Sequence, residues 1–598
     1  MSTNTQTSGS VGSGAGDASK VHADRKFYDL PEAYALGSFK QKAGDRKGAD
    51  DERLLRYIHD NVIGKDASFV GPFGRQKVMY CDHTASGRSL TFIEDFIRDE
   101  VLPMYGNTHT TTSVTALQTT LFRHEARDIV RASVNASESD SVVFVGTGCT
   151  GAVHKLIAAL ALSAPPVVFV DTFTHHSVLL PWREIKAEIV RVSETADGVL
   201  DMSVLEAKLK EYAGERSRQL IGCFTAASNI TGILTDDIAV TALLHRYGAL
   251  AFWDYASAAP YIQVDMNPVV PRQVSTVEQG LAYKDAIFIS PHKFVGGPDT
   301  PGILVAKKKL FVNAVPSGCG GGSVFFVSRT GHRYLREVEA REEGGTPSIV
   351  GAIRCGLAFQ LKDAIDPDFF SSREEQLCRR MMDAWYDLPD LVVLGNRKAK
   401  RLPIVSFVIR HPASGLFLHH NFVCALLNDL YGIQARGGCA CAGPYAQDLL
   451  GIDEDLALRY EELLAENRML DRTLLRRYTE HSEREVLRPG FVRLNLSFYL
   501  PDAEVDFVLE AVRQVARDGW TLLPQYIFNP ETGEWKHSRH QVFKERKWLG
   551  SISYRTGKFS YHGSEDDNNF SACAKIPKEV LQEAEQVYAN AAKASSRC

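Results

Sequence analysis

Hydrophobic and polar positions alternate in two distinct ways along this chain. Residues 1–24 are rich in Ser, Gly and Thr and carry no apolar periodicity, which predicts disorder. From about 50 to 135 the apolar residues recur at helical spacing, as in FIEDFIRDEVLPMY (92–105) and TTLFRHEARDIVRASV (119–134). From 141 onward short apolar runs take over: SVVFVG, PVVFVD, EIVRV, QLIGCFTAAS, ALAFWDYA, AIFIS and GILVAK. The earlier of these runs are separated by helical segments. Strands alternating with helices predict a mostly parallel sheet covered on both faces, an α/β architecture.

A second pattern begins near 390. It has strands (LVVLGN, IVSFVIR, FVRLNLSF), a helix (FVCALLNDLY) and a closing helix (AEVDFVLEAVRQVARD), as expected for a smaller α+β domain. The charged helical stretch 453–485 reads as an insertion in it. The predicted organisation is therefore a disordered 1–24, an N-terminal helical segment 25–80, a large domain 81–385, a small domain 386–520 and an extension 521–598. In the extension, FNPETGEWKH predicts a hairpin and IPKEVLQEAEQVYANAAKA a final helix; no chemistry attaches to either.

Composition narrows the class. With 598 residues, 44% apolar and 24% charged, the chain suits a soluble multidomain protein. A net charge of −5 leaves no basic excess for a nucleic-acid backbone, so that partner is not expected. The longest apolar stretch, LIAALALSAPPVVFV, is too short and proline-broken to span a bilayer, so no membrane partner is expected either. The N-terminus lacks an apolar signal core, and the odd count of 11 cysteines shows no disulfide spacing; a reducing, cytoplasmic setting is expected.

In α/β sheets ligands sit beyond the carboxyl ends of strands. The polar residues there occur in a particular order. After SVVFV comes GTGCTG, with Gly146, Gly148 and Gly151 opening a helix whose N-terminus would favour a phosphate. After VVFVD comes THHS, with His175. Asn229 and Asp254 follow the next two strands, and Ser290, His292 and Lys293 follow AIFI. Taken singly, each has an ordinary structural reading: a glycine turn, packed histidines, a helix-capping aspartate. The adjacent histidines lack further ligands at metal spacing, so no metal is expected. Together the series matches the needs of pyridoxal 5'-phosphate: anchor a phosphate, stack on a ring, hold its phenolic oxygen, keep its pyridine nitrogen protonated, and bond an aldehyde carbon. A lysine at a desolvated strand end has a lowered pKa, the condition for a nucleophilic amine.

From CDHTASGRSL (81–90) to FVRLNLSFYL (491–500), about 70% of its length, the chain resembles the class V aminotransferase family of fold-type I pyridoxal phosphate enzymes. Within that family it is most similar to the cysteine desulfurase and selenocysteine lyase group. The resemblance implies that Lys293 is the Schiff-base lysine and that His175 stacks on the cofactor and relays protons. It implies that Asp254 pairs with the ring nitrogen and that Asn229 lies near the phenolic oxygen. Gly148, Cys149, Thr150, Ser290 and His292 would cradle the phosphate, and Thr346 would reach the phosphate of a neighbouring subunit, implying a homodimer. In ARGGCACAGPYAQ, Arg436 and Cys441 match the family's arginine and catalytic cysteine, with Cys439 a packed neighbour. Arg493 matches the residue that grips the substrate carboxylate, and Asn107 and His109 match an Asn-x-His element beside the substrate.

Three positions depart from the family pattern. Ser257 stands where glutamine is usual, Thr110 where arginine is common, and KFVGGPDTPG has one residue more than the usual loop. The activity implied is conversion of L-cysteine to L-alanine with sulfur passing to Cys441 as a persulfide and then to an acceptor protein. Selenocysteine lyase, a molybdenum-cofactor sulfurase-like or other carbon–sulfur lyase, an aminotransferase, and a catalytically dead scaffold remain as alternatives.

Overall fold

The computed structural model describes residues 48–214, 217–270, 279–465, 484–540, 547–561 and 577–595. The expected disorder of 1–24 and the middle of the expected insertion at 453–485 lie outside these residues. The larger layer is a seven-stranded sheet. Its strands are β1 (Asp140–Val145), β2 (Val167–Val170), β3 (Glu188–Arg191), β4 (Leu220–Thr225), β5 (Leu250–Asp254), β6 (Ala286–Ile289) and β7 (Gly302–Lys307). They lie in the order β1-β7-β6-β5-β4-β2-β3. β7 runs antiparallel to both neighbours and the remaining pairs are parallel.

The alternation of side chains explains why the central runs are largely apolar, while edge strand β3 keeps Glu188 and Arg191 exposed. Val142, Phe144, Phe169, Trp253 and Ile287 enter one buried cluster, while Val143, Val145, Val168, Phe252 and Phe288 enter another. Each strand thus feeds two cores, one on either face, as a sheet buried on both sides requires. Helix α1 (Gly48–Asp60), α2 (Val114–Ser133) and α5 (Ile349–Asp363) belong to the first core's side; α3 (Gly148–Leu160) and α4 (His176–Glu184) cover the second. The segment 50–135 also contains a hairpin, Ser68–Gly71 with Gly74–Lys77, which helical periodicity did not predict.

Edge strand β1 is stapled by acidic side chains. Val142 N donates to Glu339 Oε1 at 2.8 Å and Phe144 N to Glu343 Oε1 at 2.7 Å. The same carboxylates pair with Arg123, Arg127 and Arg131 of α2, so backbone donors that would face an open edge are satisfied.

The smaller layer is a four-stranded antiparallel sheet of β8 (Leu391–Val393), β9 (Ile404–Ile409), β10 (Arg436–Gly438) and β11 (Phe491–Asn495), ordered β8-β9-β11-β10. Helices α6 (Pro367–Ala384), α7 (His420–Tyr431) and α9 (Asp502–Asp518) pack with it; α8 (Gly443–Leu450) follows β10. The predicted hairpin forms between Tyr526–Phe528 and Trp535–His537. The final helix α10 (Pro577–Ser595) buries Val580, Ala584 and Tyr588 in the same core, and Tyr588 Oη meets Tyr431 Oη at 3.1 Å. Much of the described extension is therefore integral to the small layer's core. No helix among the described residues is long and apolar enough to cross a membrane.

Candidate active site

A cavity of about 570 Å³ opens at the carboxyl ends of the central strands. It is lined by residues from the ends of β1, β4, β5 and β6 and from the turn after β10. A larger cavity, about 1350 Å³ and lined by Phe92, Tyr261, Phe370 and Glu374 among others, contains none of the motif residues. The smaller one is where the chemistry converges.

The glycine turn sets one wall. Gly148 takes φ +51°, and a Cβ there would lie 2.8 Å from Ser290 Oγ. The Cys149 N–H donates to that hydroxyl at 2.9 Å, tying the N-terminus of α3 to the end of β6. Thr150 Oγ1 donates to Ser177 Oγ at 2.7 Å. A helix N-terminus beside hydroxyls and glycine backbone is a ready anion cradle. His292 and Thr300 complete this wall.

Lys293 follows β6 in a short 3₁₀ turn behind Pro291. Its Nζ has no hydrogen-bond or ion-pair partner among the described residues. Burial lowers its pKa, only partly opposed by Cys149 and Asp254. Asp254 ends β5 and is 4% exposed. Its Oδ1 accepts from Ala256 N at 2.8 Å, while burial raises its pKa. A buried carboxylate with one backbone donor calls for a cationic partner. His175 caps α4: its Nδ1 accepts from Ser177 N at 3.1 Å, and burial, then Lys293, push its pKa down to about 3. The ring is neutral, with its proton on Nε2.

The opposite wall comes from the small layer. Arg493 of β11 is 3% exposed; its Nη1 donates to Asn229 O at 3.1 Å and its Nη2 to Asp82 Oδ1 at 2.9 Å. Arg436 Nε reaches the other oxygen of Asp82 at 3.1 Å. One carboxylate thus orients both arginines. Asp82 stands inside CDHTASGRSL without a sequence signal of its own; an acid beside a short strand signals nothing until two arginines arrive from 350 and more residues away.

Cys441 is exposed and lines the cavity, whereas Cys439 packs against the cluster of Phe173, Ile230 and Tyr445. Ala440 and Cys441 both take left-handed conformations, φ 51° and 58°. Such conformations cost a non-glycine residue about 1–2 kcal/mol each. Besides Ala442 N to Cys439 O at 3.3 Å within the turn, three hydrogen bonds tie it to its surroundings. Asn229 Nδ2 donates to Ala440 O at 2.7 Å, His176 N to Cys441 O at 2.9 Å, and Gly443 N to His176 Nε2 at 2.9 Å. His176 was indistinguishable in sequence from a packed surface histidine.

Ser257 also lines the cavity. Asn107, His109 and Thr346 do not; all three are exposed on this chain. The His109 ring packs instead at Gly322, where an added Cβ would lie 2.4 Å from Cε1.

Seven strands wrapped on both faces, with a lone amine, a buried acid and a glycine-anchored helix at their carboxyl ends, define a class. The aminotransferase class-V profile matches residues 79–459, and the chain belongs to the class V aminotransferase family, whose fold is the fold-type I architecture of pyridoxal phosphate enzymes. Among relatives, it is 25% identical over 374 residues (61% of this chain, 84% of the other) to a probable cysteine desulfurase of Halalkalibacterium halodurans. It is 28% identical over 381 residues (62% and 85%) to a cysteine desulfurase of Pectobacterium carotovorum. Of solved structures, an apo cysteine desulfurase from Thermococcus onnurineus superposes with a TM-score of 0.59 at 22% identity, covering 77% of this chain and 97% of that one. The cysteine desulfurase from Escherichia coli gives 0.56 at 20% identity, covering 79% and 99%.

Proposed function

We propose that this chain is a pyridoxal phosphate-dependent cysteine desulfurase that converts L-cysteine to L-alanine and carries the sulfur on Cys441. The observation that carries the reading is the meeting of Lys293, Asp254 and Arg493 with the exposed thiol of Cys441 around one cavity. The residues fit the cofactor. The Gly148 turn with Cys149, Thr150, Ser290 and His292 would receive the phosphate, and Gly148 leaves open the space that a Cβ would take. Asp254 would face the ring nitrogen, His175 would stack on the ring, and Asn229 and Ser257 would border it. Lys293 would hold the aldehyde carbon. When bound, the cofactor supplies an electron sink that stabilises negative charge on the substrate's Cα.

The chain's own groups do the rest. Arg493 holds the substrate carboxylate, its guanidinium plane already fixed by Asp82 and Asn229. Arg436 adds a second positive charge on that side. Lys293, a poor cation in its desolvated site, takes a proton from Cα as a neutral amine and returns it later. The Cys441 thiolate attacks the substrate sulfur. The S–S bond forms as the Cβ–S bond breaks, the bonding pair goes to Cβ, and Cβ takes up a proton to become the methyl group of alanine. The sulfur leaves as a persulfide on Cys441, oxidised as Cβ is reduced, so no outside oxidant is needed.

The reading extends to a cytoplasmic homodimer, with Asn107, His109 and Thr346 serving a neighbouring copy's site, and to a protein that accepts the sulfur. The exposure of those three residues and of Phe325, Phe326 and Val327 supports a second copy. It also takes residues 81–385 as the cofactor-binding domain and 386–520 as the small domain carrying Cys441.

The test is alanine and sulfide release by purified holoenzyme given L-cysteine and a thiol reductant. Stoichiometric turnover is expected; output no greater than that of Lys293→Ala overturns the proposal.

A further inference from the structure

The turn that presents Cys441 is bracketed by one residue outside the cavity. The backbone N–H of His176 donates to Cys441 O at 2.9 Å. Its side chain accepts, at Nε2, from Gly443 N at 2.9 Å, where α8 begins. The imidazole must therefore carry its proton on Nδ1 and be neutral. The fit is close: a Cβ at residue 443 would lie 3.0 Å from Nε2. Between the two contacts lies Ala442, directly after the left-handed Ala440–Cys441 pair. A non-glycine pair in that region persists only where its surroundings over-determine it.

Resting on the desulfurase reading, we infer that His176 is a positioning residue for sulfur transfer: its neutral ring locks the turn after Cys441 so that the thiol faces the cavity. The groups facing the ring are few. Arg183, further along α4, disfavours protonation, and the neutral His175 ring lies 6.2 Å away, centroid to centroid. Burial is the larger influence and acts in the same direction as Arg183, in keeping with Nε2 accepting from Gly443 N. Asn229 holds the other end of the turn, at Ala440 O, from inside the cavity. His176 differs in that it does not line the cavity; its own hydrogen bonds in the turn go to Cys441 O and Gly443 N.

The experiment compares full-chain holoenzymes of wild type, His176→Phe, which keeps a flat ring but has no acceptor, and His176→Gln, whose Oε1 can take the Gly443 N–H. Three quantities are read: the visible cofactor band, persulfide formed on Cys441 in a single turnover with L-cysteine, and the rate at which iodoacetamide alkylates Cys441, by mass spectrometry. All three proteins should keep the cofactor band. His176→Phe should form persulfide about tenfold more slowly, the loss expected for one buried hydrogen bond, with KM for cysteine within about threefold. His176→Gln should recover to within about threefold of wild type. Persulfide formation by His176→Phe at the wild-type rate, or by His176→Gln as slowly as by His176→Phe, overturns the assignment. If His176→Phe fails to fold, His176→Leu replaces it. Should wild type bind cofactor yet form no persulfide, the desulfurase reading fails, and alkylation still decides the clamp. A changed Cys441 rate in His176→Phe, restored in His176→Gln, upholds it; equal rates in all three reject it.

Discussion

Replacing Arg493 by lysine keeps the charge and removes the fork. In the structure the guanidinium is 3% exposed and spends one donor on Asn229 O at 3.1 Å and another on Asp82 Oδ1 at 2.9 Å. Those bonds fix its plane and leave the remaining N–H groups for a ligand carboxylate. A lysine ammonium cannot hold both anchors and present a planar pair of donors. The substrate then loses at least one charge-assisted hydrogen bond, about 1.5–3 kcal/mol, or roughly tenfold to 150-fold in affinity. Because the carboxylate does not react, the loss should fall on KM, with kcat changed only a few-fold. Arg436 provides the contrast. Its side chain is 44% exposed, and its ion pair with Asp82, at 3.1 Å, is solvent-screened. Arg436→Lys should shift KM by less than about threefold. The assay is alanine formation across a cysteine concentration series for both variants. A KM for Arg493→Lys within twofold of wild type, or a larger effect at Arg436, would refute the view that Arg493 grips the carboxylate.

Three further outcomes are expected. Cys441→Ser should retain the cofactor absorbance and lose cysteine turnover, whereas Cys439→Ser should retain most of it, because Cys439 faces the Phe173–Tyr445 cluster and not the cavity; surviving turnover in Cys441→Ser points to another acceptor. Glu343→Gln should destabilise the fold by about 3–5 kcal/mol in urea titration, since it leaves Arg123 buried without its counter-charge and Arg127 with Glu339 alone; a loss below 1 kcal/mol would mean the network relaxes. Acid should destabilise the protein below pH 6.5: burial depresses His83 and His420 to about 3, so between about pH 3 and 6.5 the unfolded chain binds protons the folded one does not, and stability rises with pH. Denaturation midpoints measured from pH 5 to 7 should rise toward 7, less steeply in His83→Gln; a flat profile contradicts the assignment.

Sequence alone reached far in the sheet and less far in the site. Strands buried on both faces must be largely apolar, so the central strands announce themselves, and polar residues just beyond them can be placed at one edge without knowing a contact. The order His175, Asn229, Asp254, Lys293 was legible for that reason. The hairpin at 68–77 was not: four-residue strands with Gly, Arg, Gln and Lys carry too little pattern to outweigh neighbouring helices.

What only the tertiary structure decided is which of these groups meet, and in what state. The pairing of Asp82 with both Arg436 and Arg493 joins residues over 350 positions apart. His176 became a clamp because the small layer brings Gly443 against α4. The separation of Cys439 from Cys441 arises from two consecutive left-handed residues that no propensity would choose. Local sequence encodes periodicity, and periodicity encodes burial. Charge, protonation and reactivity depend on what lies across the cavity, which is set when distant segments pack.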